Sequence, residues 1–264
     1  MPVNRERVVS PSELVDRPMT TRLFDGGWVI LFTEEIDLSG PEPYGNHRVF
    51  VFRLEEGGRS VLFVANPTKV CPGLFDAVRA LEAEAGCPVK HVMSISGFHH
   101  LHMAEWARAF PAASHWFPPA RIPRTTNGKM LLAEGLARPP EDAKDPFPQL
   151  AGEMAFVYLS GFKAPTEDFA SSERWDADEY ALVHRRARAL FTGDTLSSLD
   201  PPHWYSEYFP VDDKTVLGRG VERVLAEKFD SWLTIHVDCN NYLPRPGHDE
   251  TAKELFAGAF KFLD

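Results

Sequence analysis

Three histidines lie within four positions, at His99, His100 and His102, directly after the apolar run HVMSIS. Asp194 follows the apolar run ALFTG, and His236 lies inside a third apolar run, WLTIHVDC. Side chains at the ends of separate strands meet above one edge of a sheet, and a few imidazoles with one carboxylate suit Zn²⁺ or Fe²⁺. The residue types and their placement therefore predict a site for one zinc or iron ion.

A structural interpretation of the same residues is also open. A single histidine is commonly a hydrogen-bonded core or surface residue, and an aspartate after a glycine is typical of a turn or a helix N-cap. His99 and His102 are three positions apart, so they share one face if a helix has already begun there, and His100 then points elsewhere. Without a metal, His99, His100 and Asp194 remain candidates for acid–base chemistry or binding.

The elements before the cluster alternate from sheet to helix. TTRLFDGGWVILFTEEI predicts two strands broken at Gly26 and Gly27, and HRVFVFRLEEGGRSVLFVANP predicts a hairpin that turns at Gly57 and Gly58. LFDAVRALEAEAG has helical spacing with a glycine just past its end, and VKHVMSIS follows as a short strand. The histidine cluster is thus expected at the carboxyl end of a strand, where ligand sites of α/β sheets lie.

The second half of the chain shows a similar order of strands followed by a helix. EMAFVYLSG predicts a strand, EYALVHRRARALFTGDTL a hairpin, TVLGRGVERVLAEKF a helix, WLTIHVDC a strand and DETAKELFAGAFKFLD a terminal amphipathic helix. Residues 138–149 are a loop by composition. Two halves of this kind predict an α/β fold, a four-layer αββα sandwich with helices outside two sheets, as a single domain over 1–264 with an N-terminal arm at 1–19.

Composition restricts the partners. The chain has 264 residues, 44% hydrophobic side chains and a net charge of −10, so attraction to a phosphate backbone is not available as a main source of binding energy. We expect a small-molecule substrate and no nucleic acid. No apolar stretch is long enough for a signal peptide or a membrane helix, so a cytoplasmic protein without membrane association is expected.

Other catalytic and structural motifs are missing from the sequence. The three cysteines, Cys71, Cys87 and Cys239, are widely spaced and predict neither a disulfide framework nor a cysteine zinc site. There is no phosphate-binding G-x-x-x-x-G-K-[ST] loop and no G-x-S-x-G nucleophile elbow. The aromatic stretch PPHWYSEYFP at 201–210 is compatible with the wall of an apolar pocket or with a place in the core.

The order of hairpins, the cluster after the strand that follows the first helix, the Gly-Asp step in ALFTGDTL and the late strand histidine resemble the metallo-β-lactamase fold superfamily. The resemblance covers about residues 20–263 and implies an αββα sandwich that binds one or two metal ions between its sheets. The first motif of that family, H-x-H-x-D-H, aligns with GFHHLH and so places Gly97 on the first ligand, His99 on the second, Leu101 on the aspartate and His102 on the last.

That alignment implies a reduced ligand set. His102, Asp194 and His236 correspond to one metal position, His99 is retained from the other, and His248 in PRPGHDE is a reserve for the late histidine. The resemblance is closer to a divergent branch without an assigned function, which carries a paired His-His (His99-His100), a nearby Trp (Trp106), an FPAA step at 110–113 and a terminal FKFL at 260–263.

Three functions follow from these observations. The first is a metal-dependent hydrolase with a mononuclear site, at which metal-bound water attacks an ester, thioester or lactam. The second is a non-hydrolytic enzyme with mononuclear iron chemistry, since two histidines and a carboxylate with open positions also describe such a site. The third is a metal-free acid–base or binding role for the histidine cluster.

Overall fold

The computed structural model describes residues 17–35, 44–168, 171–197, 202–235, 242–243 and 251–263. Its strands are β1 (Met19–Phe24), β2 (Gly27–Glu35), β3 (Tyr44–Glu56), β4 (Arg59–Ala65), β5 (Val89–Met93), β6 (Ser114–Trp116), β7 (Met154–Pro165), β8 (Arg174–His184), β9 (Ala189–Thr192), β10 (Leu196–Ser197), β11 (His203–Trp204), β12 (Ser231–Thr234) and β13 (Tyr242–Leu243). Its α-helices are α1 (Leu74–Ala85), α2 (Met103–Ala109), α3 (Thr126–Ala133), α4 (Lys214–Ala226) and α5 (Ala252–Ala259).

The strands form two main sheets. The first has six strands in the order β1-β2-β3-β4-β5-β6, antiparallel up to β4 and parallel from β4 to β6. The second has the order β13-β12-β9-β8-β7, with β12 parallel to β9. The segments that connect parallel strands contain an α-helix. Such helices are α1, between β4 and β5, and α4, between β9 and β12.

Three apolar clusters lie between the successive layers of helices and sheets. The faces of the two sheets pack against each other through residues such as Phe52, Phe63 and Phe191. The outer face of the first sheet packs against α1, α2 and α3, and that of the second packs against α4 and α5. The protein is therefore an αββα sandwich, as the sequence predicts.

Local sequence explains the helix ends. α1 buries Leu74, Val78 and Leu81 on one face and ends at Gly86, whose φ of 66° is in the left-handed region that glycine adopts freely. The Asp213 side chain accepts hydrogen bonds from two backbone N–H groups in the first turn of α4. Thr251 begins α5 with a capping box to Glu254.

The predicted turns are largely confirmed. The chain turns between β1 and β2 at Asp25 and Gly26, and between β3 and β4 at Gly57 and Gly58. Residues 138–149 form a loop, apart from a β-bridge between Arg138 and Trp116 and a short 3₁₀ helix that begins at Pro148. No element was predicted at α3, because this helix contains Gly128 and has only weak amphipathic spacing. No helix among the described residues is both long and apolar enough to cross a lipid bilayer.

Candidate active site

The segment after β5 crosses from the first sheet to the second. The backbone N–H of Tyr180 donates to the carbonyl of Ile95 at 2.7 Å, and Ser96 forms an antiparallel bridge with Glu179 of β8. The bridge lies where β9 has separated from β8, since their pairing ends at Leu182 and Phe191. The crossing brings the turn that carries His99 next to the end of β9, where Asp194 lies.

The ring of His99 is held on one side by Asn66, which directly follows β4 and is fully buried. Asn66 Nδ2 donates to the backbone carbonyl of Arg48 at 2.6 Å, so the Oδ1 of the same amide faces the histidine. The His99 Nδ1 atom lies 2.6 Å from this Oδ1. Because Oδ1 can only accept, His99 Nδ1 carries the hydrogen, and the second ring nitrogen is left for another partner.

That second nitrogen faces a carboxylate. His99 Nε2 lies 3.3 Å from Asp194 Oδ1, and the two side chains are 12% and 11% exposed. The hydroxyl of Ser96 donates to the other oxygen, Oδ2, of Asp194 and accepts from the backbone N–H of Phe98. With the Nδ1 hydrogen fixed, a neutral ring directs a lone pair at the carboxylate. Such a contact is favourable only when a positive charge, a proton or a metal ion, lies between the two groups.

Glu179 supports the turn that carries Asp194. It is 1% exposed and accepts hydrogen bonds from the Thr195 hydroxyl at 2.5 Å and the Thr195 backbone N–H at 3.2 Å. Burial, reinforced by the nearby charge of Asp194, raises the pKa of Glu179 to about 8, so its carboxyl is neutral at pH 7. A Cβ on Gly193 would lie 2.6 Å from Glu179 Oε2. A side chain at position 193 would therefore clash with Glu179, which explains the glycine before Asp194.

His100, predicted as a possible catalytic residue, is buried and held by hydrogen-bond contacts at both ring nitrogens. Its ring is 3% exposed, with Nδ1 3.1 Å from the Phe98 carbonyl and Nε2 3.1 Å from the hydroxyl of Thr125. Burial, with the neighbouring Arg121 charge, lowers the pKa of His100 to about 4. Both ring nitrogens bind groups of the protein, and the neutral ring connects the histidine turn to the N-cap of α3.

The remaining predicted ligands lie elsewhere or outside the described residues. His102 is the N-cap residue of α2, its side chain is 37% exposed, and its Nδ1 lies 3.5 Å from Glu105. The structure does not bring it to the His99 and Asp194 pair. His236 and His248 lie outside the described residues; the described stretch that contains β12 ends at Ile235, whose N–H donates to the Thr192 carbonyl at 3.1 Å.

The donor chemistry of the pair suits a metal ion. Imidazole nitrogen and carboxylate oxygen are ligands of zinc and iron, and a ligating histidine normally donates its other N–H to an oxygen, as His99 does to Asn66. A catalytic zinc site generally has three protein ligands. Within the described ranges, no three His, Cys, Asp or Glu side chains are grouped closely enough to hold a metal ion. The described part of the chain therefore offers two candidate ligands, His99 and Asp194.

A cavity of about 410 Å³ opens beside the pair, and we call it the aromatic chamber. His99 and Asp194 form one wall, and the others are formed by Phe98, Pro165, Tyr205, Tyr208 and Phe209. Three of these residues come from the stretch 201–210, which was expected to form a pocket wall or part of the core. Tyr205 and Tyr208 line the pocket, and Phe209, 6% exposed, lines it and also belongs to the core. Trp204 is 4% exposed and belongs to the core.

Sequence reasoning missed Asn66, Ser96 and Glu179. Asn66 had one usable signal, since an asparagine directly after an apolar strand is one of the few non-glycine residues that adopt a positive φ, here 62°. Ser96 and Glu179 gave none, because each acts only through the contact between the two sheets.

Comparisons with known proteins agree on the architecture. No protein-family model and no curated protein sequence matches this chain. Among solved structures, a metallo-β-lactamase from Pontibacter korlensis is similar over 93% of this chain and 98% of its own, with a TM-score of 0.57 and 13% identity. One from Erythrobacter litoralis covers 93% and 92%, with a TM-score of 0.56 and 14% identity.

A third solved structure is FIM-1 from Pseudomonas aeruginosa, a metallo-β-lactamase in its mono-zinc form. It is similar over 93% of this chain and 94% of its own, with a TM-score of 0.56 and 11% identity. These likenesses extend over nearly the whole of each chain. The protein has the metallo-β-lactamase fold.

Proposed function

We propose that this protein is a metal-dependent hydrolase that cleaves a small ester, thioester or lactam. The observation that carries the proposal is the contact between His99 Nε2 and Asp194 Oδ1 at 3.3 Å, with the other ring nitrogen already bound to Asn66. Two electron-rich groups in this arrangement need a cation between them. The fold supports a metal as that cation, because the similar structures are metallo-β-lactamases, one of them in a mono-zinc form.

The ion would be held by His99, Asp194 and His236. The first two converge in the structure, and His236 directly follows Ile235 at the end of β12, the strand paired with β9. Asp194 lies two residues beyond the end of β9. Asp194 and His236 thus come shortly after the ends of two neighbouring strands, β9 and β12. Two imidazoles and one carboxylate leave open positions for water and substrate.

A metal ion bound there would lower the pKa of a bound water toward about 7 and polarise a carbonyl. The chain's own residues do the rest. Asn66 fixes the ring orientation of His99, and the Ser96 hydroxyl fixes one carboxylate oxygen of Asp194. Glu179 stays neutral near pH 7, so the charge of Asp194 is not opposed by a second carboxylate beside it.

The aromatic chamber supports a small-molecule substrate. Its volume of about 410 Å³ lies within the range of small-ligand pockets, and the proposed metal ligands form part of its wall. A substrate in this chamber would place its reacting carbonyl against His99 and Asp194 and its apolar part against the aromatic walls.

The test is ester hydrolysis by the purified protein, measured with p-nitrophenyl acetate and p-nitrophenyl thioacetate. We expect activity that a chelator removes and added zinc or iron restores. His99→Ala and Asp194→Ala should lower kcat/KM by about a hundredfold or more, since each removes a metal ligand. His102→Ala is the matched control and should keep the activity. Hydrolysis that is insensitive to the chelator would contradict the proposal.

A metal-free acid–base role is the second candidate, and the same contact favours it. A proton on His99 Nε2 would form an ion pair with Asp194, and an imidazolium held in this way acts as a general acid, or as a general base once that proton has left. This candidate predicts activity or binding that needs His99 but no metal. The chelator experiment separates the two candidates.

A further inference from the structure

The apolar layer between the two sheets contains a buried arginine, Arg48 of β3, which is 2% exposed. Side chains alternate between the two faces of a strand, so Arg48 lies on the same face of β3 as Phe50 and Phe52. Both phenylalanines belong to the cluster between the sheets. A guanidinium buried among apolar groups loses its hydration, and only the acceptors that it reaches inside the protein offset that cost.

The guanidinium of Arg48 binds the opposite sheet. Its Nη1 atom donates to the backbone carbonyl of Thr234, the last residue of β12, at 2.7 Å. Thr234 is fully buried and is paired in register with Thr192, the last residue of β9. Asp194 follows Thr192 by two residues. Because a charged donor makes a strong hydrogen bond, Arg48 fixes the strand ends from which the Asp194 turn begins.

The main chain of Arg48 acts on the other candidate ligand. Its carbonyl accepts from Asn66 Nδ2 at 2.6 Å, and the Oδ1 atom of the same amide faces His99 Nδ1 at 2.6 Å. The carbonyl of Arg48 therefore orients the amide that orients the His99 ring. One residue thus contacts the supports of both His99 and Asp194, by its backbone on one side and by its side chain on the other.

These contacts close a ring behind the candidate site. The pairing of β12 with β9 continues to its end, where the Ile235 N–H donates to the Thr192 carbonyl at 3.1 Å. At the front of the ring, His99 Nε2 lies 3.3 Å from Asp194 Oδ1. The ring passes in order through His99, Asn66, Arg48, Thr234, Thr192 and Asp194. A continuous set of buried hydrogen bonds of this kind holds the groups at its two ends at a fixed separation.

We propose that Arg48 is a positioning residue of the metal site, and that its guanidinium sets the separation of His99 and Asp194 by holding the end of β12 against β3. This inference rests on the proposed function, since it concerns the metal that these two side chains would hold. Without the bond to Thr234, the Asp194 turn is free to shift relative to His99. Every substitution of Arg48 leaves its backbone carbonyl in place, so a variant tests the guanidinium alone.

The test uses cobalt(II) as the probe, because the visible absorption of bound cobalt depends on the number and arrangement of its ligands. Competition with a chromophoric chelator gives the affinity. Arg48→Met replaces the guanidinium by an apolar group, and we expect the affinity for cobalt to fall by about tenfold, with a changed spectrum of the bound ion. Arg48→Lys keeps a charged N–H donor and should recover most of the lost affinity and the wild-type spectrum.

Phe52→Leu is the matched control for a disturbed core. Phe52 lies on the same face of β3, about 13 Å further along the strand. The folded variant should keep the wild-type spectrum and an affinity within about twofold of wild type. If Arg48→Met does not fold, Arg48→Gln takes its place, because its side chain is polar but ends short of the guanidinium position.

Two results overturn the role of Arg48. One is a wild-type affinity and spectrum in folded Arg48→Met or Arg48→Gln. The other is an equal loss in Phe52→Leu, which would show that any disturbance of the core has this effect.

The outcomes also separate this proposal from the hydrolase proposal. If the cobalt site responds to Arg48 as expected but no ester is cleaved, the hydrolase proposal fails and Arg48 remains a positioning residue. If metal-dependent hydrolysis is found but the Arg48 variants bind cobalt as wild type does, the hydrolase proposal stands and the role of Arg48 is wrong. A wild-type protein that takes up no cobalt overturns both.

Discussion

Asn66 and His99 are joined by a hydrogen bond of 2.6 Å that connects the end of β4 to the turn after β5. The bond determines which nitrogen of His99 carries the hydrogen, because the amide of Asn66 is itself oriented by the carbonyl of Arg48. Asn66 thus acts on the proposed metal through His99, as an outer-sphere residue that orients a ligand.

Replacing Asn66 should therefore weaken metal binding while the fold is retained. Asn66→Gly keeps the positive φ without strain and removes the acceptor, and we expect metal affinity to fall by about 10- to 100-fold. Asn66→Asp keeps an acceptor oxygen but loses the N–H donated to the Arg48 carbonyl, so its affinity should fall by less than that of Asn66→Gly. Competition with a chromophoric chelator measures both, and equal affinity of Asn66→Gly and wild type would contradict the orienting role.

Gly193 should not tolerate a side chain. A Cβ there would press on Glu179 Oε2, which the two hydrogen bonds from Thr195 hold in place, so Gly193→Ala should lower the free energy of unfolding by about 1–3 kcal/mol. Gly218 is the matched control, because it lies within α4 and an added Cβ meets nothing within 4 Å. Gly218→Ala should raise the free energy of unfolding by about 0.5–1 kcal/mol. Urea unfolding measures both, and equal effects would refute the steric argument.

Asp178 should make stability depend on pH. It is 1% exposed, its Oδ2 accepts from the Tyr158 hydroxyl, and its Oδ1 has no hydrogen-bond partner among the described residues. Burial raises the pKa of Asp178 from 3.8 to about 6. The folded state thus binds more protons than the unfolded state between these values, and this contribution to stability is present below about pH 4 and lost as the pH rises through 6.

The test compares wild type with Asp178→Asn by urea unfolding at pH 4.5 and pH 7. The shift corresponds to about 3 kcal/mol at most, so the free energy of unfolding of wild type should fall relative to the variant by about 1–3 kcal/mol over this interval. A constant difference between the two proteins would show that Asp178 has the same pKa in the folded and unfolded states.

His100 should be needed for stability and not for metal. Its ring bonds to the Phe98 carbonyl and to the Thr125 hydroxyl, so His100→Ala leaves buried polar groups unpaired and should lower the free energy of unfolding by about 1–3 kcal/mol. The exposed His102 offers the contrast, since His102→Ala should change stability by less than about 0.5 kcal/mol. Loss of metal from folded His100→Ala would return His100 to the list of candidate functional residues.

Much of the fold was predictable because it depends on local pattern. The glycine pairs at Gly26-Gly27 and Gly57-Gly58 mark the first two hairpins, and the spacing of Leu74, Val78 and Leu81 marks α1. The α3 helix was missed, because Gly128 and its weak amphipathic spacing hide it, although the Thr125 side chain caps it by accepting from the Gly128 N–H.

The candidate site residues were predictable only where a residue comes shortly after a strand that the sequence itself predicts. His99 and Asp194 satisfy that condition, and the structure brings them together. His102 was expected to share a face with His99 only if a helix had already begun there. In the structure α2 begins at Met103, so His99 lies in the preceding turn and the helical spacing does not apply. Glu179 belongs to the site because the segment after β5 joins β8, which local sequence does not encode.

The most direct test of the account is elemental analysis of the purified wild-type protein after loading with zinc or iron, beside His99→Ala, Asp194→Ala and the control His102→Ala. If His99 and Asp194 hold the metal, wild type and His102→Ala should each contain about one metal ion per chain, and the other two variants less than about a tenth of that. A wild-type protein that retains no metal after loading, or retention of the metal by folded His99→Ala and Asp194→Ala, would contradict it.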